Sequence, residues 1–309
     1  MTILFYSETD DHEPWRKAFA EQLPDIGFRA WPDIGDVRAV RYALVWKPKA
    51  GLLATLPNLQ AILALGAGVD PIIEDASWSR SVPLVRLVDA GLAQQMSEYA
   101  LYGVLHFHLR MDRYAQQQAE GKWHQLPPVL AKDRTVGVAG LGVLGGECAA
   151  KLASQGFRVI GWSRRAKSLP GIETFESQAG LRDFLRHTEI LVNFLPLTAE
   201  TRGLLDRNAF AQLPHGACII NIARGPHVNE ADLIAALDSG HLGGALLDVF
   251  HSEPLPADHP FWHHPKVIVT PHVAAQTVAE LAVSQVIDNI RRIERGESPL
   301  GLVDPHRGY

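Results

Sequence analysis

The sequence predicts an α/β protein made of two doubly wound parallel-sheet domains, and three observations carry that expectation. Short apolar runs alternate with longer amphipathic stretches throughout the chain. The 309 residues suffice for two domains of ordinary size. One long helical pattern near the middle separates two sets of alternation.

In the first set, ILFY (3–6), RAW (29–31), YALVW (42–46), QAILAL (60–65) and VPLVRL (82–87) read as buried strands. Consecutive apolar positions suit a parallel sheet covered on both faces. Helical stretches such as Pro14 to Leu23 and Gly51 to Leu56 lie between them. From Gly91 to about Gln118 the helical pattern is nearly unbroken; it ends near Gly121, ahead of the breaker Pro127-Pro128. About 28 residues at 1.5 Å each make roughly 40 Å, longer than one small domain needs, so this helix is expected to join two domains. Alternation then restarts with TVGVAG (135–140), RVIGW (158–162), ILVNFL (190–195), ACIINIA (217–223), GALLDV (244–249) and VIVT (267–270). Six strands make a complete doubly wound unit. A last helix, 275–295, ends at Gly296, and the tail PLGLVDPHRGY is expected to pack back on the first domain. The expected division is 1–98 with 276–309 against 99–275.

Composition excludes several classes. Hydrophobic residues at 47% and charged residues at 20% supply packed cores rather than disorder. A net charge of −5 speaks against a nucleic-acid partner. No apolar run approaches the roughly 18 residues that span a bilayer, and MTILFYSETDD lacks the basic start and apolar stretch of a secretion signal. With only Cys148 and Cys218, far apart, no disulfide scaffold is expected, and a cytoplasmic location fits. The histidines show no metal-ligand spacing; His263-His264 before Pro265 reads as a surface loop, and no metal is expected.

The segment Gly140-Leu141-Gly142-Val143-Leu144-Gly145 lies between a strand and a helix. Its glycines allow a tight turn, close approach of backbone to a pyrophosphate, and close packing of helix on strand, with the helix N-terminus facing the anion. Strand before, helix after and a second strand on time make this a dinucleotide loop. About 20 residues on, a carboxylate normally grips the ribose hydroxyl. This chain carries Ser163, Arg164, Arg165 and Lys167 there. A carboxylate would repel a 2′-phosphate, whereas a guanidinium matches its oxygens and a serine hydroxyl adds a bond. NADP(H) rather than NAD(H) is therefore expected, with either Arg164 or Arg165 as the main grip.

Three further polar segments, NIARGPHVNEADLIAAL (221–237), LLDVFHSEPLP (246–256) and VTPHVAA (269–275), close strands of the second domain. Ligands bind at such carboxyl ends, so an arginine, a glutamate and a histidine converge there. The order G-x-G-x-x-G, N-x-A-R-G-x-x-V-x-E-x-x-L, L-D-V-F-x-x-E-P-L, T-P-H-x-A resembles the D-isomer-specific 2-hydroxyacid dehydrogenases over nearly the whole chain. VWKP, ALGAGVD and the RGY tail resemble their glyoxylate/hydroxypyruvate reductase branch.

The resemblance implies a flavodoxin-like substrate domain and a Rossmann dinucleotide-binding domain, with a small 2-keto acid bound between them. Closure about segments near residues 98 and 275 would exclude water. It implies Arg224 as the substrate arginine, His272 as the acid/base and Glu253 as its carboxylate partner. The chemistry agrees: Arg224 can pair with a keto acid's carboxylate and stabilise charge on the carbonyl oxygen, His272 as imidazolium can deliver a proton, and Glu253 can orient it and favour its charge. Backbone N–H groups of Gly66, Ala67 and Gly68 would hold the substrate carboxylate, with Trp46 and Lys47 on the substrate side; a βα turn and core packing are the alternatives. Arg86 sits in a strand and reads as structural. Asp248 would contact the nicotinamide amide or else cap a turn. Leu195 and Pro196 would border the adenosine, and Ile222, Ala223 and Ala274 complete the cofactor set. A homodimer is implied, with helix 91–120 as its surface. Two rival readings stand beside this one: a dehydrogenase of the same family with another keto acid, and a dinucleotide sensor without turnover.

Overall fold

Apolar runs buried on both sides build two separate parallel sheets, one in each of two units of the chain. The computed structural model describes residues 1–305 and 307, so of the RGY tail Gly308 and Tyr309 lie outside the described residues. One unit comprises 1–92 with 276–309, the other 93–275, so the division falls after Leu92 and not after residue 98.

The first unit holds β1 (Thr2–Tyr6), α1 (Glu13–Gln22), β2 (Gly27–Ala30), β3 (Val40–Val45), β4 (Ala61–Ala64), α2 (Asp70–Ile73) and β5 (Leu84–Val85). Strand order is β2-β1-β3-β4-β5, all parallel, the flavodoxin-like arrangement. Leu4, Tyr6, Ala43, Val45, Ile62 and Ala64 share one core cluster. The stretch 51–56, expected as helix, holds only a 3₁₀ turn at Leu53–Thr55. The tail does return: Val303 N donates to Leu84 O and Arg86 N to Gly301 O, both at 2.9 Å, while the buried Asn289 side chain exchanges two hydrogen bonds with the Leu300 backbone.

The second unit begins within α3 (Leu92–His108), followed by α4 (Met111–Ala119). The single 28-residue helix is thus corrected to two, broken where Arg110 takes a left-handed φ of 58°. The cause is burial. Ala100, Val104 and Phe107 of α3 join the sheet's core, whereas α4 buries no residue, so nothing holds the axis straight past His108. Then come β6 (Thr135–Ala139), α5 (Val143–Ser154), β7 (Arg158–Ser163), β8 (Glu173–Glu176), α6 (Ser177–His187), β9 (Ile190–Asn193), α7 (Arg207–Phe210), β10 (Ala217–Asn221), α8 (Glu230–Asp238), β11 (Leu242–Leu247) and β12 (Val267–Val269). The order β12-β11-β10-β9-β6-β7-β8 is the Rossmann order extended by one strand. The expected six strands are seven: β8, ETFE, pairs with β7 at the sheet edge and carries one apolar residue, Phe175, so no apolar run announces it. Back in the first unit, α9 (Ala279–Glu294) buries Ala279, Ala282, Val283, Val286, Ile287 and Ile290, a helical stripe.

Cys148 and Cys218 are free and buried, and burial pushes both thiols up to about 12. At neutral pH about one thiol in 10⁵ is then ionised. Neither should react with an aromatic disulfide reagent in the folded protein, and both should react once it is unfolded. Native labelling at the rate of a free thiol would contradict this.

Candidate active site

The carboxyl edge of the second sheet gathers most of the residues singled out above. After β6 the chain turns through Gly140 (φ +98°), and α5 starts at Val143 with Gly142 as its N-cap, without a side-chain cap. A Cβ on Gly145 would stand 1.9 Å from the Gly140 carbonyl oxygen, so only glycine lets the helix start this close to the loop. Uncapped N–H groups at a 12-residue helix's start suit an anion. At the end of β7, Ser163 is buried and its hydroxyl donates to Arg165 O at 2.7 Å. Arg164, Arg165 and Lys167 are exposed, and Arg164 pairs with Glu200 at 3.1 Å. Leu195, Ile222, Ala223 and Ala274 are buried.

Arg224 follows β10 and is partly buried; its Nη1 donates to Ala223 O at 2.7 Å. The next residue, Gly225, packs against the loop after β11, where a Cβ would stand 2.0 Å from the Phe250 carbonyl carbon. Phe250 N in turn donates to Glu253 Oε1 at 3.1 Å, and Glu253 Oε2 meets His272 Nδ1 at 2.9 Å. Both carboxylate oxygens are therefore occupied, which fixes the plane presented to the imidazole. The side chains of His272 and Glu253 are 27% and 22% exposed, sheltered yet reachable. His272 has a left-handed φ of 57°, a conformation kept where surrounding bonds impose it.

Asp248 imposes it. Its carboxylate, fully buried, accepts from Thr270 Oγ1 (2.6 Å), Val273 N (2.8 Å) and Ala274 N (2.9 Å), while its carbonyl accepts from His272 N (2.8 Å). Burial raises the Asp248 carboxyl above its usual range, and the Thr270 hydroxyl and two amides pull it back. Thr270 already donates to Asp248, so the Tyr99 hydroxyl is the donor in its bond to Thr270. These bonds make Asp248 an anchor of the loop that carries His272.

Sequence reading passed over a buried polar network below Arg224, formed by Asn193, Asn221 and His227, which are 0%, 1% and 0% exposed. The signal was present: ILVN and ACIIN each end an apolar strand on asparagine. In the first unit, the Trp46 ring lies against Gly66, and Lys47, with φ 42°, sets its ammonium 5.7 Å from that ring's centre. Gly66 O accepts from Leu87 N, which ties the Gly66–Gly68 loop to the strand end at β5. Arg86 there donates to Leu87 O at 3.3 Å. Among the described residues no group of three or more His, Cys, Asp or Glu could hold a metal, and no helix is long and apolar enough to cross a membrane.

Residues 101–274 match the family model of the D-isomer-specific 2-hydroxyacid dehydrogenase NAD-binding domain. The chain is 44% identical to a glyoxylate/hydroxypyruvate reductase A of Yersinia enterocolitica over the full length of both. A D-isomer-specific 2-hydroxyacid dehydrogenase of Xanthobacter autotrophicus Py2, solved with NADPH and MES, superposes with a TM-score of 0.95 at 45% identity, covering 100% of this chain and 99% of that one. An NADPH-dependent glyoxylate/hydroxypyruvate reductase of Sinorhizobium meliloti, solved with NADP and sulfate, gives 0.94 at 38% identity with the same coverage.

Proposed function

Since the chain belongs to the D-isomer-specific 2-hydroxyacid dehydrogenases, we propose that it reduces glyoxylate to glycolate and hydroxypyruvate to D-glycerate with NADPH. One observation carries the catalytic part: the His272–Glu253 pair at 2.9 Å stands on the same sheet edge as the glycine loop.

The residues fit NADP(H). Gly142 faces open space beside the α5 N-terminus, and the end of β7 presents Ser163, Arg164, Arg165 and Lys167 with no carboxylate of its own. Gly140 to Gly145 would cradle the pyrophosphate, the basic run the 2′-phosphate, and Leu195, Pro196, Ile222, Ala223 and Ala274 the rest. When bound, NADPH supplies the hydride that reduces the keto carbon. Arg224 pairs with the substrate's carboxylate and stabilises negative charge on the former carbonyl oxygen. Glu253 holds His272 Nδ1, so Nε2 is the nitrogen that delivers a proton to that oxygen, completing the alcohol. Asp248 keeps the His272 loop in place. Trp46, Lys47 and the Gly66–Gly68 loop are assigned to substrate recognition; Trp46→Ala should admit bulkier 2-keto acids.

Loss of NADPH absorbance on adding glyoxylate or hydroxypyruvate is the expected result. Turnover only with some other 2-keto acid would reassign the substrate, and tight NADPH binding without any turnover would indicate a sensor.

We also propose a cytoplasmic homodimer. Tyr102, Leu105, Leu109, Met111, Trp123 and Leu130 are exposed apolar residues within one stretch of the second unit, an unusual concentration for a free surface, and Trp123 is 97% exposed. A second copy of the chain is the expected cover. Leu109→Glu with Trp123→Glu should halve the mass seen by light scattering; an unchanged mass would place the interface elsewhere.

A further inference from the structure

We propose that His227 is a positioning residue, a buried hub whose Nε2 steadies the Pro196 backbone on the cofactor side and whose Nδ1 anchors the Asn193–Asn221 pair that holds backbone on both the cofactor and the substrate side of the site. The inference rests on the functional reading above and adds to it a residue that touches neither ligand.

The geometry fixes every proton. His227 Nε2 lies 3.2 Å from Pro196 O, and a carbonyl oxygen only accepts, so Nε2 carries the hydrogen. His227 Nδ1 lies 3.0 Å from Asn193 Nδ2. The Asn193 amide cannot be flipped: its Oδ1 accepts from Leu195 N at 3.1 Å, and its Nδ2 also donates to Asn221 Oδ1 at 3.0 Å. Nδ1 is therefore the bare acceptor. Asn221 continues the path, accepting from Ala223 N at 3.3 Å and donating to Arg224 O at 3.0 Å. One branch thus ends on Pro196, the other on Leu195, Ala223 and Arg224, of which only Arg224 is assigned to the substrate.

The side chain is not needed to hold its own segment. Leu205 N donates to His227 O at 2.9 Å, Asn229 N to Leu205 O at 2.9 Å, and Gly203 N to Pro226 O at 2.8 Å. Those backbone bonds already join the loops after β9 and β10; what the imidazole adds is a tie from the second loop to Asn193 and Pro196, where the chain leaves β9. An apolar residue of similar size would fill the space but leave an Asn193 N–H without its acceptor and the Pro196 carbonyl with only the Thr201 hydroxyl, which donates to it at 2.7 Å, loosening backbone that carries the proposed ligand contacts.

The two nitrogens can be tested apart. His227→Gln can retain a donor where Nε2 was, toward Pro196. His227→Asn can retain an acceptor where Nδ1 was, toward Asn193. His227→Leu retains neither. If the hub works as described, His227→Asn weakens NADPH about tenfold by fluorescence titration while the glyoxylate KM stays within about twofold. His227→Gln loses the Asn193 branch, so kcat/KM for glyoxylate falls about tenfold and NADPH, through Leu195 and Ala223, weakens with it. His227→Leu loses both. The same losses for Gln as for Asn, or no loss in either, would overturn the proposal. Nitrogen chemical shifts of His227 in the unaltered protein give a check that needs no variant to fold: an Nε2–H tautomer at neutral pH supports the hub, and an Nδ1–H or doubly protonated ring overturns it. Should the unaltered protein turn over no 2-keto acid, the functional reading fails by itself, while the tautomer and the NADPH titrations still decide the hub.

Discussion

His272→Ala lowers kcat for glyoxylate reduction by about 10²–10⁴-fold, the usual range for a lost general acid and roughly 3–5 kcal/mol of barrier. It leaves the NADPH dissociation constant unchanged. The separation is expected because the loop carrying His272 is held from outside the imidazole. Asp248 binds the N–H groups of Val273 and Ala274, and its carbonyl binds that of His272. None of these bonds needs the ring. The left-handed φ of 57° is the one cost alanine meets there, and asparagine tolerates that region better, so His272→Asn is the companion that keeps the backbone. Stopped-flow turnover and fluorescence titration read the two quantities. A parallel collapse of catalysis and cofactor affinity in both variants would mean that His272 holds the fold. Glu253→Gln keeps a group of the same shape against Phe250 N and His272 Nδ1 but removes the charge, and should cost about 10–10²-fold in kcat.

The carboxyl edge of the second sheet was readable because its signals are local. Gly140, Gly142 and Gly145 are spaced for one turn, and Arg224, Glu253 and His272 each follow an apolar run that marks where a strand must stop. Other features depend on partners distant in sequence. The strand Glu173–Glu176 exists because β7 offers it an edge, and its own four residues hold only Phe175 as an apolar anchor. The break at Arg110 arises because α3 has a core to lie on and α4 has none, which the unbroken helical pattern does not reveal. His227 is similar: histidine two residues after Gly225 looks like loop chemistry until Asn193, 34 positions earlier, is placed against its ring. Asp248 could be read two ways from its place after a strand, and its bonds to Thr270, Val273 and Ala274, all more than 20 positions later, could not be read from that place.

Arg164→Ala with Arg165→Ala should lower the preference for NADPH over NADH on the order of a hundredfold, by weakening NADPH and leaving NADH nearly as it was. A hydrogen bond to a charged group contributes about tenfold or more in affinity, and two guanidiniums face one phosphate in this reading. The Arg164–Glu200 pair does not stand in the way. Its side chains are 41% and 68% exposed, so water screens it and its net contribution is small. A 2′-phosphate, with its greater charge and three acceptor oxygens, is the stronger partner for the same guanidinium. Glu200 should nevertheless be felt, as a carboxylate near a second anion. Glu200→Gln is therefore expected to tighten NADPH by about two- to threefold and leave NADH alone. The sign matters more than the size. If Glu200→Gln weakened NADPH, the carboxylate would be orienting Arg164. If the double arginine variant kept its preference, the basic run after β7 would be a solvated surface and another group would have to recognise the 2′-phosphate.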